Sequence, residues 1–315
     1  MIFRKGSPET ISLGDTSVDL IASVSQYPRC GGDSEIRVLQ RHPGGSAANF
    51  AVAMARLGIS AGLISKVGAD ETGEFLRNGL RREDVDVSHL KQENGATGTI
   101  FVIVDKRGQR TMLSFRGVNV RLLPEEIPRE YIAGSRLLHV SGYSLVRAPQ
   151  CDAALTAMKH AKEANVRISL DPSPLVHLAE RKVLAETLEF ADVLLPNEAE
   201  AKYLSRKKNI RSAGRTLLER GASIVAMKLG AKGCLVMNEH EEFRVPPFNV
   251  ETIDTTGAGD AFNAGFSAGY LKGWNLKRSA DFANAAAALK TMKGGARNGL
   301  PRIGELEAFM QYEHN

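Results

Sequence analysis

The sequence predicts an α/β fold: a central, mostly parallel sheet flanked by helices on both faces, with a small β lid. Three observations carry this. Apolar runs bounded by polar turns alternate with helix-period segments along most of the 315 residues, and strands separated by helices imply right-handed crossovers and a parallel sheet covered on both faces. No internal repeat, low-complexity tract or Ser/Pro-rich linker divides the chain, so residues 1–315 read as a single domain. One stretch breaks the rhythm. Residues 97–104 and 110–115 are extended and flank Asp105-Lys106-Arg107-Gly108, which reads as a hairpin.

In chain order, an apolar run at 12–20 opens the sheet, and a strand-like segment at 36–41 precedes a glycine turn. A helix at 47–57 leaves that turn. Strand 62–67, helix 73–82 and the hairpin follow. Strand 137–140, helix 151–164 and strand 167–171 repeat the alternation, as do strand 193–196, helices 199–204 and 211–221, and strands 224–229 and 234–237. Helix 258–272 leaves a second glycine turn, and a last Ala-rich helix covers 276–292. With 36–41, the hairpin makes a flap beside the main sheet, a discontinuous lid drawn from about 16–43 and 96–117.

Composition narrows the class without naming a function. Hydrophobic residues at 43% and charged residues at 24% are globular values, which exclude disorder, collagen and coiled coil. No apolar run approaches the roughly 18–20 residues that a spanning helix needs. The first fifteen residues interleave Arg4, Lys5, Glu9 and Asp15 with apolar positions and show no signal-peptide core. Cys30, Cys151 and Cys234 are scattered and without Cys-x-x-Cys spacing, which points to a reduced, cytoplasmic compartment. The formal charge of +5 fits an anionic ligand but does not require one. The basic runs Arg206-Lys207-Lys208 and Arg81-Arg82 are too short for a nucleic-acid surface.

The chemistry lies where glycines cluster. In Asp254-Thr255-Thr256-Gly257-Ala258-Gly259-Asp260, a polar loop turns through Gly257 and Gly259 straight into a helix. Glycines let backbone N–H groups converge at the positive end of the helix dipole, which is an anion hole. Asp260, in the first helical turn, is held ionised by that dipole and can accept a proton. A base beside a phosphate-sized anion hole is what phosphoryl transfer to an alcohol requires. The competing reading is that Asp260 only caps the helix. A second cluster argues against it. Pro43-Gly44-Gly45-Ser46-Ala47-Ala48-Asn49 is again a glycine turn entering a helix, with Asn49 about one turn in, able to bond hydroxyls.

Other patterns fail their context. Gly265-Phe266-Ser267-Ala268-Gly269 spells a hydrolase nucleophile elbow, but it lies inside a helix already running from Ala258. No phosphate-loop motif with a Gly-Lys-Ser/Thr end occurs, and the late glycines lack a dinucleotide fingerprint. The histidines show no zinc spacing; His139, on an apolar strand, reads as a core or pocket-rim residue.

Together the two clusters resemble the two signatures of the ribokinase/PfkB family of carbohydrate kinases, in order and across nearly the whole chain. The resemblance implies a ribokinase-like fold and an ATP-dependent phosphotransferase acting on a hydroxyl of a sugar or sugar-like alcohol, with Mg²⁺. It implies Gly257, Ala258 and Gly259 as anion hole and Asp260 as catalytic base. Asp19, in Gly14-Asp15-Thr16-Ser17-Val18-Asp19, matches the family's sugar-binding Asp, and Gly44, Gly45 and Asn49 its other substrate contacts. The Asn-x-x-Glu element maps to Asn197 and Glu200, the latter holding Mg²⁺ through water. Lys228, Gly230, Lys232, Gly233 and Asn284 fall on the nucleotide side. A monovalent cation such as K⁺ would lie at Asp254, Thr256 and Gly295. Two departures stand out: Ser46 replaces a ribokinase Lys, and His139-Val140-Ser141-Gly142-Tyr143 supplies no sugar-binding Glu. Arg110, Arg116 and Asn119, on or after the flap, could reach a polar or acidic substrate, and Arg110 is the substrate-binding candidate. The edge of the flap could pair two copies of the chain. A nucleoside kinase of the same family, and a non-catalytic sugar- or nucleotide-binding regulator on the same fold, are the alternatives. A regulator has no need of a base.

Overall fold

Strands of this computed structural model divide between two sheets. It describes residues 7–313; residues 1–6 and 314–315, His314 among them, lie outside the described residues. The chain runs through β1 (Thr10–Leu13), β2 (Ser17–Val24), β3 (Ile36–Gly44), α1 (Ser46–Arg56), β4 (Ala61–Gly68) and α2 (Glu71–Arg82). Short strands β5 (Val85–Asp86) and β6 (Leu90–Glu93) lead into the hairpin β7 (Gly98–Val104) and β8 (Arg110–Phe115). Next come α3 (Arg129–Ala133), β9 (Leu137–Ser141), α4 (Gln150–Glu163), β10 (Arg167–Asp171), α5 (Arg181–Phe190), β11 (Val193–Leu194), α6 (Glu198–Ser205) and α7 (Ile210–Glu219). Strands β12 (Ile224–Lys228), β13 (Cys234–Met237) and β14 (Glu242–Val245) complete the sheet, and helices α8 (Ala258–Leu271), α9 (Leu276–Thr291) and α10 (Ile303–Glu313) close the chain.

The large sheet has the order β14-β13-β12-β11-β10-β9-β1-β4-β5, with β6 also paired to β4. Pairing is parallel from β12 to β5 and antiparallel only at the β12-β13-β14 end. Adjacent residues of β9 serve opposite faces. Leu138 packs with Ile168 and with Ala157 and Met158 of α4, whereas Leu137 packs with Leu63, Met54 of α1 and Ala268 of α8. Helices on both faces follow from strands that are apolar on both. His139, between them, is buried; it stacks on Phe50 at 3.7 Å and its Nδ1 meets Ser169 Oγ at 2.9 Å. Burial pushes its pKa down to about 3, so it is a neutral core residue.

The run 12–20 is not one strand. Leu13 ends β1, Gly14 turns the chain with φ +151°, and β2 starts at Ser17 in a separate four-stranded sheet of order β3-β2-β7-β8. An apolar run cannot by itself reveal a change of sheet. Asp19 is thus carried by the smaller sheet, opposite His42 and Ile100, and not by the end of a core strand. Helix α2 begins before the predicted Gly73, because Asp70 caps it by accepting the Gly73 N–H at 2.7 Å. The sequence reading leaves α3, α5, α10, β5, β6 and β14 unassigned. The three strands have only two to four residues each, too few for a period to show. Within α8, Gly265 faces Ala283, where a Cβ would stand 2.8 Å from Cα, and Gly269 faces Ser279. Close packing of α8 on α9 therefore accounts for the Gly-x-Ser-x-Gly segment. Among the described residues, no helix is long and apolar enough to cross a membrane.

Candidate active site

Helix α8 starts from Gly257, whose φ of +81° an L side chain rarely adopts. The first bond of its ladder joins the Ala261 N–H to the Gly257 carbonyl at 3.0 Å, so the amides of Gly259 and Asp260 precede that ladder. A Cβ on Gly259 would meet nothing nearer than Lys228 Nζ at 3.9 Å. The fold leaves open space here, in front of N–H groups and a helix dipole, where an anion can approach the backbone.

Asp260 joins the two glycine clusters. Its Oδ1 accepts from Ser46 Oγ and its Oδ2 from Asn49 Nδ2, each at 2.8 Å. Asn49 is held in turn by Arg297, whose Nε donates to Asn49 Oδ1 at 2.8 Å and whose Nη2 donates to the Gly44 carbonyl at 2.7 Å. Gly45 makes this junction possible: at φ +91° its Cα position lets α1 start where a Cβ would lie 2.5 Å from the Asp15 carbonyl oxygen. Burial raises the Asp260 pKa to about 6, against the Asn49 hydrogen bond, with the Asp171 charge adding to the rise. The dipole argument alone expects a strongly ionised carboxylate, but desolvation dominates. At neutral pH the group is still mostly ionised and far more basic than a solvated Asp. Asp19 behaves alike: burial lifts it to about 6, opposed by Arg297 and assisted by Asp260. Arg297 is itself buried, and burial pushes it down to about 10 against the pull of Asp19.

Across the cleft, Lys228 Nζ donates to Asp171 Oδ1 at 2.9 Å and to Asn263 Oδ1 at 3.0 Å. Asn197 and Glu200 form a reciprocal cap on α6: the Asn197 N–H donates to Glu200 Oε2 at 2.8 Å, and the Glu200 N–H donates to Asn197 Oδ1 at 2.9 Å. Burial and the nearby Asp171 charge raise Glu200 to about 7, while Lys228 opposes. Among the described residues no three His, Cys, Asp or Glu side chains cluster as a metal cage. A hard cation held by one or two carboxylates, water and substrate phosphates needs none. The Asp171–Glu200 pair, whose mutual repulsion shows in the raised Glu200, fits Mg²⁺ in that manner. Asn284 donates Nδ2 to the Pro246 carbonyl at 2.8 Å, bracing the chain after β14.

These groups line a cleft of about 590 Å³, bounded by Asp19, Asn49, Asp260, Glu200, Lys228 and Asn284. Gly45, Asn197, Gly230, Gly233, Thr256 and the Gly257–Gly259 turn also reach it; Gly44, Lys232, Asp254 and Gly295 do not line it. Lys232 is exposed at the end of a short turn. Arg110 also lines this cleft, from β8. Its guanidinium bonds the Asp254 carboxylate and the hydroxyls of Thr255 and Thr256, so it fastens β8 to the loop before α8. Arg116 forms a two-pronged ion pair with Asp15 at 2.7 and 2.8 Å, and Asn119 bonds the Thr16 backbone; both brace the smaller sheet and also line the cleft. Asp171 and Arg297 escape sequence reasoning. Arg297 sits in a glycine-rich loop, Gly294-Gly295-Ala296-Arg297-Asn298-Gly299, and that lone cation among glycines is the only signal the sequence offers for it.

The expected monovalent-cation position is already filled by protein donors. Asp254 Oδ1 accepts from the Thr256 N–H at 2.9 Å and the Thr256 hydroxyl at 2.7 Å as well as from Arg110, and Oδ2 accepts from the Gly295 N–H at 2.8 Å. Burial would raise Asp254, but the Thr256 and Gly295 hydrogen bonds outweigh it and hold it below the usual carboxylate range. With its oxygens so engaged and Arg110 against it, the site does not fit a free cation.

Comparison with known proteins identifies the family and the fold. The model of the pfkB family of carbohydrate kinases matches residues 8–303. An ATP-dependent ribose-1-phosphate kinase of Halopiger xanaduensis is 34% identical over 301 residues, covering 95% of this chain and 97% of that protein. An E. coli protein assigned as ribokinase II, solved in complex with ATP and Mg²⁺, has a TM-score of 0.88 at 28% identity, covering 97% of this chain and 99% of that one. A Methanocaldococcus jannaschii nucleoside kinase has a TM-score of 0.85 at 25% identity, covering 98% and 100%. Matched over nearly all its length and built like solved members of the group, this chain belongs to the pfkB family of carbohydrate kinases, with a ribokinase-like fold and the ATP-dependent transfer of phosphate to a sugar or sugar-like alcohol that the family carries out.

Proposed function

We propose that Asp260 is the general base of this kinase and that the acceptor hydroxyl lies between it and the Gly257–Gly259 turn. The observation that carries the proposal is the Asp260 carboxylate, bonded to Ser46 and Asn49 at the mouth of an unoccluded helix N-terminus. Asp260 accepts the hydroxyl proton as the acceptor oxygen bonds the γ-phosphorus of ATP and the bond from that phosphorus to the β–γ bridging oxygen breaks, releasing ADP, and the amides of Gly259 and Asp260 stabilise charge on the moving phosphoryl group. Asp19 and Asn49 orient the acceptor, and Gly45 lets it approach the backbone. Lys228, Gly230, Gly233 and Asn284 flank the nucleotide. Asp171 and Glu200 would hold Mg²⁺, through water at Glu200, and Mg²⁺ supplies neutralisation of the phosphate charge. The smaller sheet acts as the lid, with Arg110 latching it to the Asp254–Thr256 loop and so excluding water.

Apolar lid residues Ile100, Val102 and Met112 form one cleft wall. That wall favours a second reading, an acceptor with an apolar part such as a nucleoside. Measuring ADP release with a panel of sugars, sugar phosphates and nucleosides decides between them: turnover confined to nucleosides selects the second reading, and no turnover with any acceptor rejects both. Asp19→Ala is expected to raise KM for the acceptor by roughly 10–100-fold, the worth of a hydrogen bond to a charged group, with KM for ATP little changed. Equal effects on both substrates would remove Asp19 from the acceptor side.

A further inference from the structure

Lys290 stands in the last turn of α9, where a lysine ordinarily extends into water, yet it is fully buried. Its Nζ donates to the Asp254 carbonyl at 2.9 Å and to the Lys293 carbonyl at 3.1 Å. These two carbonyls belong to the two loops that meet behind the anion hole, the one leading into α8 and the glycine-rich one after α9. The same junction is closed by the Ile253 and Asp254 N–H groups donating to the Thr291 carbonyl at 2.8 and 3.0 Å, and by the Gly295 N–H on Asp254. A side-chain ammonium surrounded by main-chain carbonyls, beside a carboxylate, is chemically what a bound monovalent cation would be: one positive charge satisfied by oxygen dipoles.

We infer that Lys290 is a built-in monovalent cation, a positioning residue that holds the Asp254–Gly257 loop in its anion-binding shape and makes the enzyme independent of added K⁺. The inference rests on the kinase reading of the site. Tethering the charge to α9 removes the entropy of capturing an ion, and it places a fixed positive charge behind the amides that receive the phosphoryl group. Lys290 does not line the cleft. It acts through the loop.

The test compares chloride salts of K⁺ and tetramethylammonium at a fixed ionic strength of about 0.1 M, reading both melting temperature and ATP turnover. For the natural chain, both quantities are expected to be the same in the two salts. Lys290→Ala opens a space of ammonium size between the two carbonyls. Its turnover in tetramethylammonium is expected to fall on the order of 10–100-fold, as when one preorganised electrostatic contributor is removed. K⁺, ammonium or methylammonium is expected to restore turnover in part and to raise the variant's melting temperature. Turnover or melting temperature of the natural chain that rises with K⁺ would overturn the inference. So would a Lys290→Ala variant with undiminished turnover in tetramethylammonium, or one that is folded, impaired and insensitive to every cation. If Lys290→Ala does not fold, the salt comparison on the natural chain decides alone. Failure of the kinase reading is separable: it abolishes turnover with every acceptor, while the melting comparison still answers for Lys290.

Discussion

Asp260→Asn is expected to lower kcat by roughly 10²–10⁴-fold, the usual worth of a positioned general base, while ATP still binds and the protein melts at a higher temperature. The rise in stability follows from the direction of the pKa shift. The Asp260 carboxyl goes from an ordinary 3.8 to about 6 on burial, so the folded state holds its proton more tightly than the unfolded chain does. The penalty for ionising it is absent below pH 3.8, grows through the window from 3.8 to about 6, and is complete above that. A neutral Asn removes a cost of roughly 1–3 kcal/mol at neutral pH. The shape is preserved, because the Asn amide can meet both Ser46 and Asn49 once the Ser46 hydroxyl turns to accept. Stopped assays of ADP release and a melting curve read both halves. In the natural enzyme the same shift places the acid limb of kcat/KM near pH 6. A variant with near-natural turnover would remove Asp260 as the base, and one melting lower would contradict the burial argument.

Arg297→Met should be among the most destabilising single changes in the site. The guanidinium is buried with Asn49 and the Gly44 carbonyl as its partners, and it faces the Asp19 and Asp260 charges. Removing it leaves two polar groups without a donor and takes the nearby positive charge away from Asp19. Breaking a buried charged constellation costs about 3–5 kcal/mol, which for a chain of this size lowers the melting temperature by roughly 5–8 °C. Activity should fall as well, since Asp19 loses the charge that favours its ionised form, its pKa rises further, and the acid limb moves to higher pH. Calorimetry and a pH profile of kcat/KM together test this. An unmoved acid limb would mean that Arg297 only supports the fold, and an unchanged melting temperature would remove even that role.

Much of the site was legible because its chemistry is local. Gly257, Gly259 and Asp260 are neighbours in one turn, and so are Gly44, Gly45 and Asn49; glycine followed by a helix start is a pattern that backbone geometry dictates from a few residues. The alternation of strands and helices was legible for the same reason. What escaped depends on distant contacts. Asn49 and Asp260 are 211 positions apart, and Arg297 is 248 from Asn49. Nothing near Arg297 announces that its charge is buried. The pairing of Arg110 with the Asp254 loop was not legible, since a lid arginine's partner is decided by which loop the lid meets. Asp19 sat in an apolar run that gave no sign of crossing between sheets at Gly14.

The sequence by itself determined the α/β class and the two glycine turns, because periodicity and turn chemistry act over a few residues, and the resemblance of those two turns to known signatures pointed to the family. Only the tertiary structure decided the working charges of the site. Burial, which depends on the whole packed chain, raises Asp19 and Asp260 to about 6, and long-range packing brings Lys290 to the Asp254 carbonyl. Charge energies depend on desolvation and on partners far along the chain, and neither is written in a local pattern.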